Sequence, residues 1–346
     1  MENSRKKLLN LLNKQAKEQG TYLVSRLQSS KYKSLEAVDD EINEVSSGQR
    51  SGLGLHLFDQ EGHSLLTSTD KIDDTAYNAK LLGKAITELK NINETATKTT
   101  AIFELEKTTA KKDLTKDFNF KQFSTKDLEK HLLNHNKKIK KIGENLGIAE
   151  DLNIRTYFDV QLNSWQITRT DGTDVFWSIP ACRLNTSLTY KGKKTKIQDH
   201  VSRSSLNWDV LTDKSLEKDF FLEVKQKLDL LRKSADKPNY PAGNYPLLID
   251  SELGGLLAHE AFGHAAESDG IRSGNSILSK NKNIDKGKKV ASESVSIYDA
   301  TKSDKWGYTP FSAFGVPREK VEIVKEGTLN AAISDTLSGK EINDTV

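Results

Sequence analysis

The chain predicts an α+β fold: an N-terminal helix and antiparallel-strand region, followed by a β-rich domain that carries a distorted metal-binding helix. Three observations support this. Several segments place apolar residues at helical spacing, and others alternate apolar and polar residues between turn signals. A proline-punctuated stretch then leads into a segment with two closely spaced histidines. At 346 residues the chain has room for two domains or more. Half of its six prolines (Pro238, Pro241 and Pro246) fall in that one stretch, which places the main boundary there. Residues 1–237 read as an N-terminal α/β region, with sub-regions of about 1–110 and 111–237. Residues 238–346 read as the metal-site domain.

Each element has a local reason. Leu8, Leu9, Leu12 and Ala16 give the opening segment a helical stripe. Strand-like sequence runs from about Thr21 to Ser68, with alternation at Gly52–Phe58, a turn at Glu61-Gly62 and a return at Ser64–Thr67. Asp73 or Asp74 caps a second helix striped by Tyr77, Leu81, Leu82, Ala85, Ile86 and Leu89. Asn91–Phe123 is polar and reads as a connection. Ser124 then opens a third helix through Leu128, Leu132, Leu133, Ile139 and Ile142. Leu162–Thr170 and Thr173–Ile179 flank Asp171-Gly172, which predicts a tight I′ hairpin, with more strand to about Ile197. A long amphipathic helix covers Lys214–Ser234. Past the prolines, a short apolar strand (Leu247–Ile249), the histidine helix, a Lys/Asn/Ser-rich loop (Ser273–Lys289) and two or three strands are expected.

Composition narrows the function classes. A net charge of +3, from 52 basic and 49 acidic side chains, gives no case for a nucleic-acid or membrane surface. The lysine clusters at Lys137–Lys141, Lys191–Lys194 and Lys280–Lys289 read as solvated faces and loops, without interleaved aromatics for stacking on bases. The single cysteine, Cys182, cannot form an intrachain disulfide, which fits a reducing compartment. The basic N-terminus lacks a continuous apolar run, and no segment approaches membrane-spanning length, so a cytoplasmic location is expected. Phosphate-loop, dinucleotide and serine-elbow motifs do not occur.

The chemistry concentrates in His259-Glu260-Ala261-Phe262-Gly263-His264. Neutral imidazoles are good ligands for a divalent ion, and a neighbouring carboxylate can take a proton from water that the ion activates. The spacing poses a conflict. Five residues of α-helix advance about 500°, which leaves the rings roughly 140° apart. A π-bulge or break resolves it, and Gly263 is the residue best able to permit the distortion, with Gly254-Gly255 allowing close packing at the helix entrance. The alternative is a core helix that happens to carry two histidines. Elsewhere, His131 and His135 have better helical spacing but no adjacent base and sit among lysines, so they read as an exposed helix face. His56 and His63 flank a predicted turn, His200 lies in a polar loop, and Cys182 reads as a small buried side chain.

The segment from Pro246 to Gly270, PLLIDSELGGLLAHEAFGHAAESDG, resembles the signature of the TldD/PmbA family of metalloproteases, whose catalytic members carry His-Glu-x-x-x-His. Downstream, Val290-Ala291-Ser292, Val295–Asp299, Trp306-Gly307 and Gly315-Val316-Pro317 resemble the family's recurring elements. The resemblance implies a zinc-dependent peptidase acting on unfolded or small peptides, with one Zn2+ per chain on His259 and His264 and Glu260 as general base. It also implies a homodimer, or a heterodimer with a related subunit, around a chamber that admits peptides. Glu267 and Asp269 match acidic positions after the second histidine and would orient an imidazole, or in the case of Glu267 join the ligands. Two departures stand out. Ser312-Ala313-Phe314 replaces a frequent acidic pair before Gly315. The family's third zinc ligand, a cysteine, lies in a further C-terminal stretch, so the metal-site domain is expected to be incomplete and the third ligand is not identified. The alternative function is a non-catalytic or truncated subunit that binds a partner protease chain.

Overall fold

Two long antiparallel hairpins form the centre of the molecule, seen in a computed structural model that describes residues 2–92, 98–238, 241–336, 338–342 and 344. Helix α1 (Glu2–Glu18) leads into β1 (Tyr22–Val38), which pairs along its whole length with β2 (Glu41–Phe58). β3 (Ser64–Thr69) returns along the end of β2 and is followed by α2 (Thr75–Lys90). Next come β4 (Thr109–Asp113), α3 (Thr125–Asn145) and the second hairpin, β5 (Leu152–Arg169) with β6 (Asp174–Lys191). β7 (Lys196–Ser205), the short α4 (Asp209–Thr212) and α5 (Lys214–Ser234) complete this half. The seven-stranded sheet runs β3-β2-β1-β5-β6, and β4 and β7 share the outer edge of β6. All pairs are antiparallel except β4 with β6.

Strand alternation separates two faces. Leu23, Leu27 and Leu35 of β1 point to the helical side. There α1 and α2 bury Leu9, Leu12, Leu82 and Ile86 at one end. At the other end α3 and α5 bury Leu128, Leu132, Val224 and Leu228 against Phe158 and Val160. Helix boundaries follow their caps. Asp74 accepts the Tyr77 N–H at 2.8 Å, Ser124 and Asp127 form a reciprocal capping box, and Asp213 accepts from Ser215 and Leu216. On α2, Asn78 rather than Tyr77 takes the buried position, because its amide donates to the carbonyls of Lys71 and Asp74.

Several sequence expectations change. Asp171-Gly172 does not form a I′ turn, since only Gly172 has positive φ (+93°). Gly172 donates to the Arg169 carbonyl and Asp171 accepts the Thr173 N–H, which widens the loop by a residue. The connection Asn91–Phe123 contains β4, whose Thr-Ala-Lys-Lys-Asp sequence has no apolar alternation, while residues 93–97 of it lie outside the described residues. His200 sits in β7 rather than a loop. His135 is not on an exposed face: its Nε2 lies 3.2 Å from Thr186 Oγ1, and its ring packs against Phe220 and Phe221. Burial, and then Lys138, push its pKa down to about 3. His63 is also buried, on Asp59 at 2.7 Å. Cys182 is fully buried as expected, and burial pushes its thiol up to about 12.

The α+β class holds, but strands after residue 238 are only two to five residues long. Beyond α6 (Ser251–Ala258) and α7 (Ser268–Ser273), these are β8 (Ser279–Lys280), β9 (Asn283–Ile284), β10 (Ile297–Asp299), β11 (Val321–Lys325) and β12 (Thr328–Leu329). They enclose a small core of Ala266, Ile271, Leu278, Ile323, Val324 and Leu329. Leu247–Ile249 forms no strand. It has no partner to complete a ladder, and Leu248 is fully exposed.

One loop anchors this half to the sheet. Tyr308, Phe311 and Phe314 insert against Val24, Phe58, Ile167, Val175 and Trp177 on the face opposite the helices. Arg26 Nε donates to the Ala313 carbonyl at 2.5 Å. The fully buried Arg169 guanidinium donates to the carbonyls of Phe314 (3.2 Å) and Glu106 (2.5 Å) and pairs with Asp171 at 3.0 Å. Gly315 takes φ +75°, and a Cβ there would press on Val175 at 3.1 Å.

Candidate metal centre

Asp250 starts α6 by accepting the Leu253 N–H at 2.8 Å, the expected chemistry for a helix N-cap. After Ala258 the chain makes a single π-helical turn, His259–Gly263, in which the His264 N–H bonds to the His259 carbonyl. A 3₁₀ turn, His264–Ala266, then closes the segment before α7. The i→i+5 bond inserts one residue into the turn and so brings residue 264 back over residue 259. The five-residue spacing that an α-helix would splay is thereby converted into a pair. The imidazole centroids lie 4.7 Å apart at 72°.

Ligand-capable atoms of His259, Glu260 and His264 all lie within 4.8 Å of one another, near enough for small side-chain rotations to bring them onto one ion. All three side chains are exposed, so solvent can reach them. His264 Nδ1–H donates to Glu267 Oε1 at 3.0 Å, which leaves Nε2 as the nitrogen free to ligate. Two imidazoles suit zinc, and the Glu260 carboxylate beside them is placed to act on a neighbouring water. Asp269 stands apart from this group: it is exposed, and its carboxylate accepts the Gly270 N–H at 2.8 Å.

Gly263 and the Gly254-Gly255 pair do not play the parts their positions suggest. Gly263 has ordinary helical φ (−57°), and a Cβ there would meet its nearest neighbours, Ala258 O and His259 Nδ1, at 3.8 Å. The distortion therefore does not depend on glycine. Gly254 and Gly255 face open space rather than a packed backbone. The motif helix is no core helix either. Leu247, Leu248, Leu253, Leu256 and Leu257 are all exposed around it.

Residues 242–345 match the PmbA/TldA metallopeptidase C-terminal domain. A metalloprotease of Archaeoglobus fulgidus is 37% identical over 102 residues, which is 30% of this chain and 23% of the relative. A metalloprotease of Methanocaldococcus jannaschii aligns over 331 residues at 26% identity, covering 90% of this chain and 65% of the relative. The chain thus spans less than two thirds of the curated relatives it matches. Two crystal structures share the fold. One, from Bacteroides thetaiotaomicron and named for modulation of DNA gyrase, has a TM-score of 0.73 at 19% identity over 98% of this chain and 74% of that one. The other, TldE from Thermococcus kodakarensis, has a TM-score of 0.68 at 16% identity over 97% and 72%. With the signature segment inside the matched domain, residues 242–345 are similar to the PmbA/TldA metallopeptidase C-terminal domain, and the chain shares its fold with TldE along nearly its whole length.

Proposed function

We propose that the chain is a zinc-dependent peptidase acting on unfolded or small peptides. The observation that carries this reading is the π-turn, a costly local geometry whose consequence is to pair two imidazoles beside a carboxylate. His259 and His264 would hold the ion, which when bound supplies Lewis acidity toward a peptide carbonyl and acidifies water. Glu260 accepts a proton from water as the oxygen bonds to the carbonyl carbon. It then delivers that proton to the amine nitrogen as the C–N bond breaks. Glu267 holds the His264 ring and tautomer through Nδ1, a positioning role. Exposure of the three residues suits extended, flexible substrates better than a closed pocket for one small molecule.

A second reading, a subunit whose site is completed only in an assembly, is favoured by the exposed leucines around α6. Homodimerisation, or pairing with a related chain, would cover that surface. A cytoplasmic setting accords with the lone buried thiol, and among the described residues no helix is long and apolar enough to cross a membrane. Glu260→Gln separates the two readings. A peptidase loses at least about a hundredfold in peptide hydrolysis while it keeps its metal. An unchanged rate in Glu260→Gln would remove the carboxylate from the mechanism. No hydrolysis by the unaltered chain, alone or mixed with a related subunit, would favour the non-catalytic role.

A further inference from the structure

A cavity far removed in sequence from the histidine motif opens between α3 and α5 on the helical side of the sheet and has a volume of about 490 Å³. That size falls within the usual range for small-molecule sites. Its interior is apolar and aromatic. Leu184 and Val210 form part of the floor, and Phe220 and Phe221 form one wall. The His135 ring lies 4.7 Å and 5.1 Å from the two phenylalanine rings. Thr186 fixes that imidazole, which stays neutral because burial disfavours its charged form.

The rim has the opposite character. Five lining side chains are cationic (Lys137, Lys138, Lys141, Lys214 and Arg203), against one carboxylate, Glu217. Beyond the lining, Glu144 pairs with Lys141 and Glu223 with Arg203, which leaves a surplus of two positive charges. Glu217 shows what the rim accepts. Its carboxylate is bound at once by Lys138 and, at 2.9 Å, by Lys214. Each ammonium carries three donors, so both can hold a further oxyanion beside Glu217. Lys138 also lies 5.3 Å over the Phe221 ring and so joins the charged rim to the aromatic wall. The cluster Lys137–Lys141, read from sequence as a solvated face, therefore borders a cavity.

We propose that this cleft binds a small amphipathic anion, an aromatic carboxylate. The oxyanion would sit at Lys138 and Lys214, and the flat apolar body against Phe220, Phe221 and neutral His135. Affinity would come from burial of the ring, and selectivity from the cationic rim. The site would be independent of the peptidase chemistry.

Calorimetric titration of the full chain with 2-naphthoate and with its uncharged analogue 2-naphthamide tests this. We expect one saturable site for naphthoate. Affinity should fall at least about tenfold for the amide, and likewise for naphthoate with a Lys138→Gln/Lys214→Gln double variant. Both lysines are largely exposed, so the variant should fold, which circular dichroism checks. Leu248→Ser, on the exposed leucine surface, should leave binding unchanged. Absence of saturable binding, equal affinity for acid and amide, equal affinity in the double variant, or loss of binding in Leu248→Ser would each overturn the proposal.

Discussion

His264 shows how one side chain is prepared for its task. Its Nδ1–H is committed to Glu267, so replacing that carboxylate should loosen the ring without removing a ligand. Glu267→Ala is expected to weaken zinc affinity by about 10–100-fold in a chelator competition, a change that a purely structural role would not produce. Gly263→Ala should do little, because the helical φ and the 3.8 Å clearance leave room for a methyl group. Zinc affinity should stay within about threefold and stability within about 1 kcal/mol. A large loss would show that the π-turn needs glycine after all. His135 carries a pH prediction. Burial first, and Lys138 second, lower its folded pKa from 6.5 to about 3, so between those values the unfolded chain binds a proton that the folded chain refuses. Its contribution to stability is whole above pH 6.5 and is lost as pH falls toward 3. Denaturant titrations across that window should show a shallower pH slope for His135→Met than for the unaltered chain, and identical slopes would contradict this.

At the scale of elements, legibility followed local physics. Helix α5 was bounded correctly because Asp213 caps it and one apolar stripe runs its whole length. The π-turn could be anticipated because five-residue spacing and a shared ion are incompatible on an α-helix. β4 escaped notice because its pairing comes from the edge of β6, not from its own sequence. Leu247–Ile249 erred the other way, since an apolar run makes a strand only when a partner supplies the ladder. Turn geometry at Asp171-Gly172 was beyond the dipeptide alone, since Arg169, Asp171 and Thr173 fix the loop through side-chain contacts. Constraint at glycine likewise depends on tertiary neighbours. Gly263 drew attention through its place in the motif, yet Gly327 bears the real constraint. It has φ +77°, and a Cβ there would lie 2.5 Å from the Ala291 carbonyl oxygen. Gly327→Ala should cost more than about 2 kcal/mol in chemical denaturation, well above Gly263→Ala.

The whole molecule depends on contacts that no sequence pattern announces. Arg169, an ordinary strand residue by pattern, is the largest fully buried side chain and ties the carbonyls of Glu106 and Phe314 to the sheet. Phe314 completes the apolar half of that junction where family resemblance pointed to acidic residues. Phe314→Ala should lower stability by about 3–5 kcal/mol and speed proteolysis within residues 241–250 as the anchored half loosens. An unchanged cleavage rate would mean that the junction does not couple the two halves. The exposed leucines around α6 explain why the candidate site was legible in its residues but not in its surroundings. Motif spacing pointed to the three side chains that the π-turn brings together, whereas exposure of the neighbouring leucines depends on how the segment packs.

The proposed function rests on His259 and His264 sharing a metal ion. Elemental analysis of the purified chain and of His264→Ala, prepared in parallel, tests it most directly. The account predicts close to one zinc per chain, lost in the variant because a single imidazole and a carboxylate do not retain the ion through purification. Zinc absent from both, or present equally in both, would contradict it.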